Sequence, residues 1–276
     1  MILLNGAESD HITVSDRGFQ YGDGLFETIA VIEGRPLFLE HHLQRLTEGC
    51  SKLNIPKPDL KLLADESYFV CKQAKQAVLK IILTRGSGGR GYRQPEVIQP
   101  TRVISLYPFP EYSNANAELG IKLRFCDTRL GLNPALAGIK HLNRLEQVMA
   151  RAEWDDPAIQ EGIMLDINND VIEGTMTNLF YAKGNEIFTA SLHTAGVAGV
   201  TRAIIKNLLK EHGISLIEHD YDKEILLTAN ELFVCNSIIG IWPVKQIEGL
   251  QFAVGSLTKQ IQAWLRHRKE KALANG

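Results

Sequence analysis

Short, dense runs of apolar and β-branched residues alternate along this chain with longer stretches whose apolar positions recur every three or four residues. Met1–Asn5 is an apolar run stopped by the turn dipeptide Asn5-Gly6, and His11–Val14 is a second short strand candidate. Gly18, Gly22 and Gly24 punctuate a loop, after which Leu25–Ile32 reads as a strand ending at Glu33-Gly34. Leu39–Leu53 predicts a helix with Leu39, Leu43, Leu46 and Leu53 on its buried side. Asp59–Gln73 predicts a second, through Leu60, Leu63, Ser67, Val70 and Cys71. Ala77–Thr84 and Val103–Tyr107 predict strands. Pro108, Pro110 and the polar run to Asn116 give the strongest linker signal. It places a boundary at about residue 113, between a small α+β domain over 1–113 and a larger α/β domain over 114–276.

The second half opens on a strand, Gly120–Cys126. The stretch Gly138–Trp154 then predicts a helix that starts after Asn143, one turn beyond Lys140. Asn143 is its expected N-cap, Glu146 stands where a capping-box partner belongs, and Leu142, Leu145, Val148, Met149 and Ala152 form one apolar face. Gly162–Ile167 and Val171–Ile172 predict a hairpin around Asn168-Asn169-Asp170, with Glu173 at its end and Asn178–Ala182 as the next strand. Gly196–Gly213 reads as a glycine loop and a helix that buries Ile204, Ile205, Leu208 and Leu209. Glu231–Cys235 predicts a strand, Trp242-Pro243-Val244 a turn, and Thr258–Lys271 a last helix with a basic end.

Composition excludes several classes. A net charge of −2 leaves no footprint for nucleic acid or an anionic membrane. No apolar run is long enough to cross a bilayer, and MILLNGAESD has none of the features of a signal peptide. Cys50, Cys71, Cys126 and Cys235 are scattered without CxxC spacing, which argues against a disulfide framework or a zinc site and for a reducing, cytoplasmic setting. His41 and His42 are neighbours on a helix, so they point to different faces and do not share a metal.

Four features carry candidate chemistry. Lys140 lies one turn ahead of that predicted helix; a lysine held there and partly desolvated offers a neutral amine, a nucleophile and a base. Arg45 presents a planar fork suited to phosphate oxygens. Four glycines and two arginines in Arg85–Gly91 make a loop whose backbone can approach an anion. Gly199-Val200-Thr201-Arg202 opens a helix, where unpaired N–H groups and the Thr201 hydroxyl suit a phosphate.

These stretches together resemble the fold-type IV, pyridoxal-phosphate-dependent family that includes branched-chain and D-amino-acid transaminases. The likeness runs from Leu4 to about Val244 through YGDGLFE, HHLQRL, RGSGGRGY, KHLNRLEQV, EGTMTNLF and GVTR. It implies an α/β (α+β) two-domain enzyme, with pyridoxal 5'-phosphate in the cleft between a small N-terminal domain and a larger C-terminal one. Lys140 would carry the cofactor as a Schiff base and serve as the catalytic acid–base. Glu173 would pair with the pyridine nitrogen, keeping it protonated so that the ring can act as an electron sink. Arg45, Gly199, Val200, Thr201 and Ser237 would hold the phosphate. Phe26, Thr28, Arg90 and Tyr92 would face the substrate. Phe26 stands where some transaminases have tyrosine, and Met176 where several have a small hydroxylated residue.

Within the family, KHLNRLEQV and RGSGGRGY are similar to the lyases that release pyruvate from 4-amino-4-deoxychorismate to leave p-aminobenzoate for folate. The resemblance further implies a homodimer, with no nucleic-acid or membrane partner and no metal. A transaminase for D-amino or branched-chain amino acids would share the cofactor residues but return the proton to the cofactor and need a keto-acid acceptor. A non-catalytic cofactor carrier is a third possibility, disfavoured by the presence of both Lys140 and Glu173.

Overall fold

Alternation along Gly24–Ile32 sets the first layer of the protein. Leu25, Glu27, Ile29 and Val31 are buried on one side of that strand, while Phe26 and Thr28 are half-buried on the other. In this computed structural model, which describes residues 1–274, the chain divides into two compact units. Unit 1 comprises Met1–Pro110, the short segment Ile139–Asn143 and the described residues from Lys269 on. Unit 2 comprises Glu111–Gly138 and Arg144–Arg268.

The elements of unit 1, in chain order, are β1 (Ile2–Leu4), β2 (Ala7–Glu8), α1 (Arg17–Tyr21), β3 (Gly24–Ile32), β4 (Arg35–Pro36), α2 (Leu39–Leu53), α3 (Leu60–Cys71), β5 (Gln76–Thr84) and β6 (Thr101–Pro108). Its strands form an antiparallel sheet in the order β2-β1-β6-β5-β3-β4. Helices α2 and α3 pack on one face, where Leu43, Leu46, Cys50, Leu63 and Val70 meet Ile29, Leu79, Ile81 and Ile104. Asp59 caps α3 by accepting from the N–H groups of Lys61 and Leu62.

Unit 2 contains α4 (Ala115–Leu119), β7 (Ile121–Phe125), α5 (Leu145–Arg151), β8 (Glu161–Leu165), β9 (Val171–Gly174), β10 (Asn178–Lys183), β11 (Glu186–Ala190), α6 (Val200–Glu211), β12 (Leu216–His219), α7 (Lys223–Leu226), β13 (Glu231–Asn236), β14 (Gly240–Ile247), β15 (Leu250–Gln251) and most of α8 (Ser256–Ala274). Its mixed sheet runs β12-β11-β10-β13-β14-β7-β8-β9, with β15 beside β14. The core lies along this sheet, around Tyr181, Tyr221, Leu232, Val234 and Trp242.

Three expectations fail. His11–Val14 is irregular, and Val14 is exposed. Trp242-Pro243-Val244 is not a turn but part of β14; Pro243 faces Phe233, and a register irregularity between Val244 and Gln246 adjoins it. The helix within 138–154 is α5, with Lys140 ahead of it in non-helical chain as expected, but its capping and its apolar face differ from expectation. Arg144, not Asn143, is the N-cap residue, and Glu146 accepts from Gly131 N–H instead of closing a capping box. The apolar face does not enter the core: Leu145, Val148 and Met149 are 76%, 62% and 62% exposed.

Candidate active site

Backbone pairing holds the chain ahead of α5 in extended form. Phe26 N–H donates to Lys140 O at 3.0 Å, Leu142 N–H donates to Gly24 O at 3.0 Å, and His141 bridges to Leu25. Residues 140–142 are therefore committed to the edge of β3 in extended form. Asn143 Nδ2 donates to Gly22 O at 3.0 Å. Gly22 ends α1 with a left-handed φ of 65°, and a Cβ there would lie 2.6 Å from Asn143 Oδ1. Four consecutive residues thus fix the backbone under Lys140. Its Nζ lies 4.1 Å from the centre of the Phe26 ring.

On the opposite face of β3, Glu27 is buried against α2. Arg45 Nε donates to Glu27 Oε1 at 2.8 Å and Arg45 Nη2 donates to Oε2, while His42 Nδ1 lies 2.6 Å from Oε2. Burial would raise the Glu27 carboxyl, but the Arg45 charge and the His42 contact outweigh it and hold it at about 2. Burial lowers the His42 pKa; the Arg45 and Lys140 charges act the same way, against Glu27. His42 is therefore a buried structural histidine and His41 is exposed. Glu27 sets the orientation of the Arg45 guanidinium.

The Arg85–Gly91 loop is held by a charged cluster. Asp23 takes Arg17 Nε at 2.9 Å and Arg85 Nε at 2.8 Å, and Arg17 Nη1 donates to Gly91 O at 3.0 Å. Burial opposes ionisation of Asp23, yet Arg85 and Arg17 keep its carboxyl below the ordinary value. Arg90 and Tyr92 stand at the surface of this loop, with the Tyr92 ring 5.6 Å from that of Tyr21. Thr28 lies on the same face of β3 as Phe26.

In unit 2, Glu173 is buried on β9. Val197 N–H donates to its Oε2 at 2.8 Å, and Asn178 Nδ2 does so at 3.4 Å. Asn178 also reaches α6, because its Oδ1 accepts from Gly199 N–H at 3.1 Å. Gly199 is the N-cap residue of α6, and a Cβ there would lie 2.1 Å from Asn178 Oδ1. No side chain caps α6, and Val200 and Thr201 are buried at its start. The helix opening is thus a buried group of N–H donors with a hydroxyl beside it. Ser237 is half-buried in the turn after β13. Asn236 shapes that turn by accepting from Ile238 and Ile239, and it donates to Met176 O at 3.1 Å. Met176 is 46% exposed.

Beneath the Thr175–Thr177 turn, buried Glu161 accepts from the N–H groups of Gly162, Thr175 and Met176 and from the hydroxyls of Thr175 and Thr177. Burial still raises its carboxyl above the ordinary value despite those donors. Among the described residues, no group of three or more His, Cys, Asp or Glu side chains could hold a metal ion.

Unit 1 therefore brings together Lys140, Phe26 and, on the reverse of the strand, Arg45. Unit 2 brings together Glu173 and Gly199–Thr201. Sequence reasoning missed Glu27, Asn178, Asn236 and Glu161, which position the others. Glu27 carried a signal: a charge at an inward position of an alternating strand needs a buried partner. The other three owe their roles to pairings between distant segments.

The sequence profile described as amino-transferase class IV matches residues 24–247. Over 266 residues the chain is 39% identical to an aminodeoxychorismate lyase of Vibrio harveyi, covering 95% of this chain and 98% of that protein. The crystal structure of 4-amino-4-deoxychorismate lyase from Pseudomonas aeruginosa matches with a TM-score of 0.94 at 43% identity, over 97% of this chain and 98% of that one. A branched-chain amino acid aminotransferase of Escherichia coli matches with a TM-score of 0.85 at 26% identity, over 96% and 93% of the two chains. The chain belongs to the class IV aminotransferase family.

Proposed function

We propose that the protein is a pyridoxal-phosphate-dependent lyase that converts 4-amino-4-deoxychorismate to p-aminobenzoate and pyruvate. The observation that carries this reading is the clamped Lys140, its amine against Phe26, in a chain 39% identical to one such lyase and 43% identical to another. The donor set suits the cofactor: an amine on a fixed backbone, a buried carboxylate, and a buried helix start that no side chain caps. Lys140 would hold the aldehyde carbon and Glu173 the ring nitrogen. Arg45, Gly199, Val200, Thr201 and Ser237 would hold the phosphate, and Thr28, Arg90 and Tyr92 would contact the substrate.

When bound, pyridoxal phosphate supplies an electron-withdrawing ring that stabilises negative charge on the carbon next to the substrate nitrogen. Lys140 Nζ acts as general base and takes the proton from the carbon bearing that nitrogen. The C–O bond to the enolpyruvyl group breaks and the substrate ring becomes aromatic. Lys140 returns the proton to the departing enolpyruvyl carbon, which leaves as pyruvate. The backbone bonds at 140–142 limit the amine to side-chain motion, so one group can serve both transfers.

Two broader features belong to the same reading. The exposed row Leu145, Val148 and Met149 supports a homodimer, since a contiguous apolar face on a short helix calls for a partner. Four free, buried cysteines fit a reducing cytoplasm.

The test is to incubate the protein and pyridoxal phosphate with 4-amino-4-deoxychorismate, with no keto acid present. Equimolar pyruvate and p-aminobenzoate are expected, and Lys140→Ala should abolish both, together with the visible absorbance of the lysine-bound cofactor. No product from a cofactor-loaded wild type, with turnover appearing only when a keto acid and an amino acid are supplied, would establish a transaminase instead.

A further inference from the structure

Glu161 on β8 is a buried carboxylate held by neutral donors. Its Oε1 accepts from the N–H groups of Gly162 at 2.9 Å and Thr175 at 3.1 Å and from the Thr175 hydroxyl at 2.6 Å. Its Oε2 accepts from Met176 N–H at 3.1 Å and from the Thr177 hydroxyl at 3.0 Å. Among the described residues it makes no ion pair. Lys122 and Arg124 flank Leu123, its partner on β7, and so project from the other face. On α5, Glu146 accepts from Gly131 N–H and Arg151 lies over Trp154, while Glu173 on β9 accepts from Val197 N–H. Two titratable groups feel the Glu161 charge, and both stay neutral in acid. Burial raises Tyr112, with the Glu161 charge adding to it, and burial pushes Cys126 up to about 12, with the charges of Glu153 and Glu161 adding to it.

The turn that Glu161 holds leads to each group proposed to meet the cofactor in unit 2. Met176 O accepts from Asn236 Nδ2 at 3.1 Å, and Asn236 shapes the turn that contains Ser237. Asn178, the residue after Thr177, donates to Glu173 at 3.4 Å and to Val197 O at 2.8 Å, and it accepts from Gly199 N–H at 3.1 Å. We infer that Glu161 is a positioning residue whose ionised carboxylate couples Glu173, the α6 opening and the Ser237 turn into one cofactor-competent arrangement. The inference rests on the proposed pyridoxal phosphate site. An ionised carboxylate only accepts, so it serves all the inward-pointing donors at once. A proton on Oε2 would face Met176 N–H. The Thr177 hydroxyl can rotate and accept that proton, but a backbone N–H cannot, so the turn is released at Met176.

The experiment measures pyridoxal phosphate affinity by equilibrium dialysis from about pH 8 down to about pH 5, beside wild-type turnover of 4-amino-4-deoxychorismate. Glu161→Gln copies the shape of the protonated carboxyl. At the alkaline end it is expected to bind the cofactor at least roughly tenfold more weakly than wild type. Burial raises the Glu161 carboxyl above the ordinary 4.5, so wild-type Glu161 takes up its proton as pH falls toward that value, and the gap should narrow. Thr177→Val keeps the carboxylate but removes a donor that favours its charged form. The acid loss of affinity should then begin at higher pH than in wild type. A side chain that only fills space beneath the turn predicts a gap equal at every pH and no such shift. Wild-type turnover, with a Glu161→Gln gap that is absent or independent of pH, overturns the coupling and leaves the lyase standing. If Glu161→Gln does not fold, an unshifted acid limb in Thr177→Val overturns it instead. A pH-dependent gap without turnover leaves the coupling standing and removes the lyase. A wild type that binds no pyridoxal phosphate removes both.

Discussion

Glu27 interrupts an otherwise apolar strand face made by Leu25, Ile29 and Val31. Its charge persists there because Arg45 and His42 close on both carboxylate oxygens. The folded state holds its carboxyl at about 2, below the ordinary 4.5, so as pH falls the unfolded chain takes up the proton first. The stability from this group is complete above about pH 4.5 and is lost as pH falls toward 2. Glu27→Gln should cost about 3–5 kcal/mol at neutral pH, by removing the carboxylate that faces the Arg45 guanidinium and accepts at His42. Urea denaturation of both proteins, repeated from pH 7 down to pH 3, measures it, and the gap should narrow in acid. A gap independent of pH would sink the assignment. The contrast with Lys140 shows what a sequence discloses about single residues. Lys140, Glu173 and Thr201 stand inside motifs whose residue order is itself the signal. Glu27 declares only that something must neutralise it, and the neutralising groups sit on another element.

At the scale of elements, apolar spacing locates α2, α3, β3, β5 and α6 to within a residue or two. The same rule misleads at α5, where the period is genuine but Leu145, Val148 and Met149 face outward. Periodicity reports that a face is shared and is silent about what covers it. The start of α5 was legible to within a residue, but the pairing of residues 140–142 with β3 was not, because it is long-range. At the opening of α6, Gly199 is required by close approach. Gly199→Ala should push Asn178 away and displace the first turn of α6, because the added carbon meets Asn178 Oδ1. Cofactor titration of the apo-protein should then show an affinity at least roughly tenfold weaker, a loss of one or two anion-binding donors. Unchanged affinity would remove the helix opening from the cofactor site.

At the scale of the whole molecule, the prediction concerns assembly. Val148→Asp places a charge in the middle of the exposed apolar row of α5. In sedimentation at micromolar concentration, it should shift the protein from dimer to monomer while leaving the circular dichroism unchanged, since the position is exposed. A wild type that sediments as a monomer at these concentrations would remove the row from any self-association. The two-unit organisation was only partly legible. A linker signal before Asn116 is written in local composition, whereas the return of Ile139–Asn143 to unit 1 is written only in backbone pairing.

That return has a consequence for biosynthesis. The first strand residues of β3 leave the ribosome early, but the segment that completes their edge is separated from them by more than a hundred residues of chain. At synthesis rates of about 5–20 residues per second, the N-terminal half waits on the order of ten seconds with that edge unsatisfied. An open edge is a template for pairing with a neighbouring nascent chain. The segment that ends this exposure is the one that carries Lys140, so the edge is closed and the Lys140 side chain is set in place in a single late event.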